Sequence, residues 1–357
     1  GVGLYYEKFV ASGAARRRTA PRLDHAGLDL ADVRRRGHGT AVVVGGSIAG
    51  IAAAKVLSET FERVIVLEKD DPHRRRLDNE PRILFRYESD VADFVYDRAD
   101  NAVIGVAVDH GGGELEVVPA EFVVDASGKN TRFPEFLDRI GIGAPEVEQD
   151  IINCFYSTMY HRVPAERQWQ DKVMMICYAY RPYEDTYAAQ YYTDSTRTIL
   201  STTLVAYNCY SPPRTAQEFR EFAKLMPSPV VGENIDGLEP DSPIYNFRYP
   251  NMLRLRYEKK RNLPRALLAV GDSYTSADPV SGLGMTLALK EVREMALLLA
   301  KYGAGHAELP RRYYRTISRM ADTAWFVIRE QTLRFDWLKD VDKTRPCDFR
   351  ALTWYLD

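Results

Sequence analysis

Gly45-Gly46-Ser47-Ile48-Ala49-Gly50 is the stretch whose residue types and spacing most directly specify a chemistry. It is nearly free of side chains and opens the helix-prone run Ile51-Ala52-Ala53-Ala54-Lys55-Val56-Leu57. Backbone N–H groups at that helix start stand open to an anion, and the helix dipole favours its charge. Ala41-Val42-Val43-Val44 precedes the turn as a β-branched run suited to a buried parallel strand. Val64-Ile65-Val66-Leu67 follows as a second strand and ends on Glu68 and Lys69. An acid about 20 residues beyond the first glycine accepts hydrogen bonds from a ribose hydroxyl in dinucleotide sites. The stretch therefore predicts a βαβ unit for a dinucleotide with an unphosphorylated adenosine ribose. Ser47 stands where the G-x-G-x-x-G pattern has its second glycine, and it is small enough to keep the close approach. The competing reading is a strand, turn and helix with no ligand.

Two later stretches repeat the theme of an apolar strand ending on small residues and an aspartate. Phe122-Val123-Val124-Asp125-Ala126-Ser127-Gly128 is one, with Arg132 just beyond. Ala266-Leu267-Leu268-Ala269-Val270-Gly271-Asp272-Ser273 is the other. It continues through Asp278-Pro279-Val280-Ser281-Gly282-Leu283-Gly284-Met285 into a long helical pattern that reaches Leu299. The competing reading makes Asp272 a helix N-cap and Gly282 and Gly284 a tight loop, but the order strand, Gly-Asp, loop, Pro, helix is hard to obtain by accident. Neither Ser127 nor Ser273 lies in a G-x-S-x-G elbow, so a serine hydrolase is a poor reading.

In this order, across residues 40 to 300, the three motifs resemble the class A flavoprotein monooxygenases, the para-hydroxybenzoate hydroxylase-like fold. The resemblance implies FAD. Gly45, Gly46, Ser47, Ile48, Ala49 and Gly50 would hold its pyrophosphate, and Glu68 with Lys69 its adenosine ribose. Asp125, Ala126, Ser127 and Arg132 would lie near the pyrophosphate, and Gly271-Asp272 at the ribityl chain. Pro279, Gly282, Leu283, Gly284 and Met285 would pack against the isoalloxazine, with the Gly284-Met285 backbone near flavin N1 and O2. It further implies NAD(P)H as electron donor, directly or through a partner flavin reductase. In that family reduced FAD and O2 give a C4a-hydroperoxide that delivers one oxygen atom, so no side-chain triad, metal or catalytic cysteine is required. Ser242-Pro243-Ile244-Tyr245 and Leu263-Pro264 look most like bacterial specialised-metabolism members, including the polyether epoxidases.

The implied fold class is α/β with an α+β second domain. A Rossmann-like FAD-binding domain over 40–150 and 263–308 carries an inserted β-meander, and an antiparallel substrate domain occupies 151–262. An N-terminal extension covers 1–39, with a possible docking helix around Leu4-Tyr5-Tyr6 and Phe9-Val10, and a C-terminal helical region covers 309–357. Residues 83–118 alternate in strand fashion, with Gly111-Gly112-Gly113 as the hairpin turn between Ala102–Val108 and Leu115–Val118. The substrate domain is tyrosine-rich (Tyr156, Tyr160, Tyr178, Tyr180, Tyr183, Tyr187, Tyr191, Tyr192, Tyr207, Tyr210), which suits a dry chamber with orienting hydroxyls. Phe219–Ala223 reads as helical, and Pro227-Ser228-Pro229 ends it. Members of the family place several helices between the second strand and the segment at Ile83. Here only Leu77–Arg82 follows the Arg74-Arg75-Arg76 cluster, so residues are expected to be missing between 76 and 82.

Composition narrows the rest. A chain of 357 residues with a net charge of −2 can bury a large core and is a poor nucleic-acid binder. The clusters Arg16-Arg17-Arg18, Arg34-Arg35-Arg36 and Arg74-Arg75-Arg76 are interrupted by acids and read as solvated surface. Cys154, Cys177, Cys209 and Cys347 have no paired spacing and the histidines form no H-x-x-x-H pair, so neither a metal nor a disulfide framework is expected. No membrane span or signal peptide is visible, and a cytoplasmic location is the simplest expectation. Three functional classes remain: monooxygenation of a hydrophobic small molecule, as hydroxylation or epoxidation; flavin chemistry without oxygen insertion, as in geranylgeranyl-reductase-like ene reductases or halogenases; and a non-catalytic protein that keeps the fold. The halogenase version is weakened because no W-x-W-x-I-P segment is present.

Overall fold

A computed structural model describes residues 23, 27–70, 80–111, 114–177, 186–207 and 211–332. The expectations for Leu4–Val10, Arg16–Arg18, Arg74–Arg76, Cys209, Cys347, Tyr178, Tyr180, Tyr183 and Tyr210 fall outside these residues, as does most of the stretch between Arg76 and Arg82. The strands, in chain order, are β1 (Thr40–Val44), β2 (Arg63–Leu67), β3 (Ile83–Arg86), β4 (Asp90–Asp97), β5 (Ala102–Asp109), β6 (Leu115–Pro119), β7 (Phe122–Asp125), β8 (Val147–Arg162), β9 (Met174–Cys177), β10 (Thr186–Tyr192), β11 (Ile199–Ala206), β12 (Glu239–Pro240), β13 (Tyr245–Leu255), β14 (Leu267–Ala269) and β15 (Thr275–Ser276). Two compact units result. One comprises Gly1–Val147 and Arg254–Ala324, the other Glu148–Leu253 and Trp325–Asp357.

The first unit is built on a parallel sheet of order β14-β7-β1-β2-β3. β1 lies at its centre and is buried at every residue, which is why its sequence is a continuous β-branched run rather than an alternation. Val44 is level with Leu67 and with Asp125, and Asp125 with Ala269, so β1, β2, β7 and β14 end on one edge of the sheet. The helix Ile48–Leu57 follows β1, buries Ala53, Ala54 and Leu57, and packs against the helix Gly284–Tyr302.

An antiparallel sheet of order β4-β5-β6 is inserted before β7, and its β5–β6 hairpin aligns Asp109 with Leu115 as the glycine run predicts. Ile83–Arg86 does not join this small sheet. It pairs parallel to β2, with Ile83 opposite Val64 and Arg86 opposite Leu67. The helix Leu30–Gly37 is capped by Asp29, whose Oδ1 accepts from Ala31 N and Asp32 N at 3.1 Å each. It buries Val33 against Val95, Ala102 and Ile104. Arg34 reaches Asp97 at 2.6 Å and Asp100 at 2.7 Å, while Arg35 and Arg36 are exposed.

The chain re-enters this unit at Arg254, where Arg254 and Tyr257 are both buried. The fully buried Arg254 donates to Asp322 Oδ1 at 2.7 Å and to Ser318 O at 3.0 Å. Tyr257 stacks on Phe133 at 4.8 Å. The helix Leu309–Thr332 belongs to this unit as far as Ala324 and is anchored by tyrosines: Ala269 N donates to Tyr314 Oη at 2.7 Å, and Tyr313 Oη donates to Ala269 O at 3.1 Å.

In the second unit the strand order is β13-β8-β11-β10-β9, with β12 also paired to β8. Asn153, at φ +43°, shifts the alternation of β8 so that Phe155, Ser157, Met159 and His161 all point to the core. That core is closed by Phe219 and Phe222 of the helix Ala216–Ala223 and by Val231 and Ile235 of the helix Val230–Ile235. Thr215 caps the first of these helices by accepting from Glu218 N at 3.1 Å. Among the described residues no helix is long and apolar enough to cross a membrane.

Candidate functional site

All of the sequence motifs emerge from the one edge where β1, β2, β7 and β14 end, the position at which parallel α/β sheets bind ligands. The glycine turn is there for steric reasons. Gly45 has φ +92°, and a Cβ on it would lie 2.5 Å from Ala126 O. A Cβ on Gly50 would lie 1.9 Å from Gly45 O. Gly46 N donates to Glu68 Oε2 at 2.8 Å, and Asp70 N to Glu68 Oε1 at 3.2 Å. The acid at the end of β2 is thus folded against the glycine turn, and a carboxylate retains lone pairs for further donors. Ser47 makes no side-chain cap and the first turn of the helix has no acid, so the first N–H groups of Ile48–Leu57 have no side-chain acceptor within the helix. Lys69 is exposed beside Glu68.

Asp125 is fully buried and ties two loops together. Its Oδ1 accepts from Ser127 N at 3.0 Å, Ser127 Oγ at 2.5 Å and Ser273 Oγ at 3.3 Å, and its Oδ2 accepts from Thr131 Oγ1. Ser273 Oγ in turn accepts from Gly128 N at 2.8 Å. Burial raises the Asp125 pKa, and these donors oppose the rise. Asp125 therefore positions the Ala126-Ser127-Gly128 loop against the Gly271-Asp272 turn. Arg132 is engaged with Asp90, at 3.5 Å.

Asp272 is exposed, yet the protein packed around it raises its pKa, while Ser276 and the nearby Lys129 lower it. Lys129 is itself half-buried, and enclosure pushes its amine down to about 8 against the pull of Asp272. Behind the turn, Glu291 of the helix Gly284–Tyr302 is fully buried and accepts from Gly271 N at 2.6 Å. At the head of that helix, Asp278 Oδ1 accepts from Val280 N at 3.0 Å, Gly282 adopts φ +66°, and Leu283 offers no side-chain cap. A Cβ on Gly284 would meet nothing within 4 Å, and Met285 is exposed. Two helix N-termini without side-chain caps thus flank one exposed carboxylate. An extended ligand with an anionic middle and polar hydroxyls fits this donor set.

Of the predicted residues, Gly45–Gly50, Glu68, Asp125–Ser127, Gly271-Asp272 and Pro279–Met285 all lie on loops that leave this edge or on the segment that continues from them, whereas Arg132 pairs with Asp90. Sequence reasoning passed over Lys129 and Glu291, and weighed Ser273 only as a hydrolase nucleophile. Glu291 did carry a signal: it breaks the apolar face made by Leu287, Ala288, Val292 and Met295 at helical spacing.

The second unit presents a tyrosine-bearing sheet face opposite its core. Tyr156, Thr158 and Tyr160 of β8, Thr203 of β11 and Tyr187, Ala189 and Tyr191 of β10 stand on it, partly or wholly exposed. Thr158 and Thr203 share a 2.8 Å hydrogen bond across the strands, and Tyr160 lies 6.1 Å from Tyr245. Tyr192 and Tyr207 are buried instead: Tyr192 Oη accepts from Trp169 N at 2.8 Å, and Tyr207 packs edge-on to Tyr187.

No family model matches the chain. It is 26% identical over 239 residues to Protein Rv3254 of Mycobacterium tuberculosis, a match that takes in 65% of this chain and 49% of that protein. The chain spans about half the length of this curated relative. Among solved structures it resembles the flavin-dependent brominase Bmp2, with a TM-score of 0.63 and 15% identity over 82% of this chain and 87% of the brominase. It also resembles PqsL, a probable FAD-dependent monooxygenase from Pseudomonas aeruginosa, with a TM-score of 0.58 and 13% identity over 84% and 96% of the two chains. The fold is the one shared by flavin-dependent halogenases and class A flavoprotein monooxygenases.

Proposed function

We propose that on this flavoprotein fold the chain binds FAD and acts as a monooxygenase, inserting one oxygen atom of O2 into a hydrophobic specialised metabolite such as a polyketide, isoprenoid or aromatic compound. One observation carries the reading: motifs far apart in sequence converge on one sheet edge, where two uncapped helix N-termini flank an exposed carboxylate and a glycine turn that has no room for side chains. When bound, FAD supplies the redox and oxygen chemistry. The residues of the chain do the rest. The N–H groups at Ile48–Gly50 would hold the pyrophosphate, Glu68 would accept from the adenosine ribose, and Asp272 would accept from the ribityl chain. The N-terminus at Gly284, which has no side-chain cap, would stabilise negative charge on the ring through its dipole. The tyrosine face of the second unit offers apolar area with hydroxyls suited to a hydrophobic substrate. NAD(P)H, directly or through a partner reductase, would deliver electrons.

The likeness to Bmp2 supports halogenation as a second reading, while the lack of a W-x-W-x-I-P segment weighs against it. Heat-released flavin from the purified chain, identified by chromatography, tests the cofactor: FAD supports the reading, and no flavin with no FAD affinity refutes it. Substrate-dependent uptake of labelled O2 into product separates oxygenation from halogenation, where bromide or chloride appears in the product instead.

A further inference from the structure

The Gly271-Asp272 turn and the helix that begins at Gly284 are separate stretches of chain, yet a single buried side chain bridges them. Glu291 lies two turns into the helix and is 2% exposed; its Oε2 accepts from Gly271 N at 2.6 Å. Gly271 sits at φ +64°, with its Cβ position 2.9 Å from Ala49 Cβ, so the turn is pressed between the Ile48–Leu57 helix and Glu291. A shift of the Gly271 N–H would move Asp272, the next residue, directly. We propose that Glu291 is a positioning residue: it latches the Gly271-Asp272 turn to the helix Gly284–Tyr302, so that the ribityl anchor and the helix N-terminus are held as one body for the cofactor. This inference rests on the FAD reading above.

The surroundings make the latch sensitive to protonation. Asp272 and Tyr274 face Glu291 from the turn, Arg254 from the end of β13, and Tyr313 and Tyr314 from the helix Leu309–Thr332. Burial, with Asp272 adding to it, pushes the Glu291 carboxyl up to about 8, against the Gly271 N–H and Arg254. Binding an anionic dinucleotide removes water and adds negative charge, which favours the protonated form. Affinity should therefore fall as pH rises from 7 to 9. Lys129 also titrates near 8 beside Asp272 and lowers affinity in the same direction, but equally in any Glu291 variant. The difference between wild type and variant belongs to Glu291.

The experiment compares the full chain with Glu291→Gln and Glu291→Leu. FAD dissociation constants are measured by fluorescence between pH 6 and 9, and amide hydrogen exchange is followed across residues 267–274 in cofactor-free protein. Glutamine can still accept from Gly271 N but cannot titrate; leucine strands a buried donor. The latch predicts that Glu291→Leu weakens FAD by about tenfold and speeds Gly271 exchange by a similar factor. Glu291→Gln should stay within about twofold of wild type at pH 7 and lose the Glu291 share of the pH dependence. Wild-type exchange at Gly271 in the leucine variant overturns the latch. Should leucine abolish folding, unprotected exchange at Gly271 in the wild type overturns it. Failure of the wild type to bind FAD refutes the cofactor reading instead, and the exchange data alone then decide whether Glu291 holds the turn.

Discussion

Replacing Asp125 with alanine tests whether the aspartate of the Asp125-Ala126-Ser127-Gly128 loop positions the site from behind. Its carboxylate collects four hydrogen bonds, from Ser127 N, Ser127 Oγ, Thr131 Oγ1 and Ser273 Oγ. The four do not count equally. The Ser127 hydroxyl is exposed and that of Thr131 half-buried, so both recover water when the carboxylate is removed. Ser273 is fully buried, and its hydroxyl is left with no acceptor. A stranded buried donor costs about 1–3 kcal/mol, and the lost bond to Ser127 N with the void left by the carboxyl adds roughly 1–2 kcal/mol. Because the carboxylate is held in a dry site, the cost of its own burial is relieved, so the net should be about 2–3 kcal/mol. Asp125→Asn keeps one acceptor oxygen and the volume, and should cost about 1 kcal/mol. Equilibrium urea denaturation of both variants reads these values, and FAD titration reads the loosening of the Gly128–Ser273 contact. An alanine variant within 0.5 kcal/mol of wild type, on the order of a surface substitution, would refute the reasoning.

Three further substitutions and titrations follow from the same geometry. Gly284→Val should fold, since its Cβ meets no protein atom within 4 Å, but should bind FAD at least tenfold more weakly; unchanged FAD affinity would remove the flavin from this loop. Glu68→Ala should weaken FAD far more than FMN, and equal losses for both would remove the adenosine site from Glu68. It also removes the acceptor of Gly46 N, so circular dichroism should confirm the fold. His161 is fully buried, and neither ring nitrogen has a hydrogen-bond partner among the described residues; burial, with Arg220 adding to it, pushes its pKa from 6.5 down to about 4. The unfolded chain then binds the proton first. Stability is full above pH 6.5 and falls by about 3 kcal/mol as pH drops towards 4, a slope that His161→Leu should abolish.

The sequence by itself determined the local units. β1 is legible because a strand buried on both faces must be apolar at every position, and the β5–β6 hairpin because a glycine run separates two alternating stretches. Gly45 and Gly50 are legible because a close backbone approach admits no other residue. The spacing of Glu68 from Gly45 announced that the two belong together, and the 2.8 Å bond from Gly46 N to Glu68 is that relation made physical.

Tertiary structure alone decided which polar groups face the ligand and which hold the loops from behind. Asp125 and Asp272 look alike in sequence, each at the end of an apolar strand. Only folding buries Asp125 among hydroxyl donors and leaves Asp272 exposed, because only folding brings Ser273 across to Asp125. The pairing of Arg132 with Asp90, the return of the chain at Arg254 and the capture of Gly271 N by Glu291 depend likewise on contacts between residues distant in the chain. Periodicity and spacing record what a segment does to its own backbone. The partner of a side chain that crosses from one loop to another is set by the packing of the sheet and helices between them.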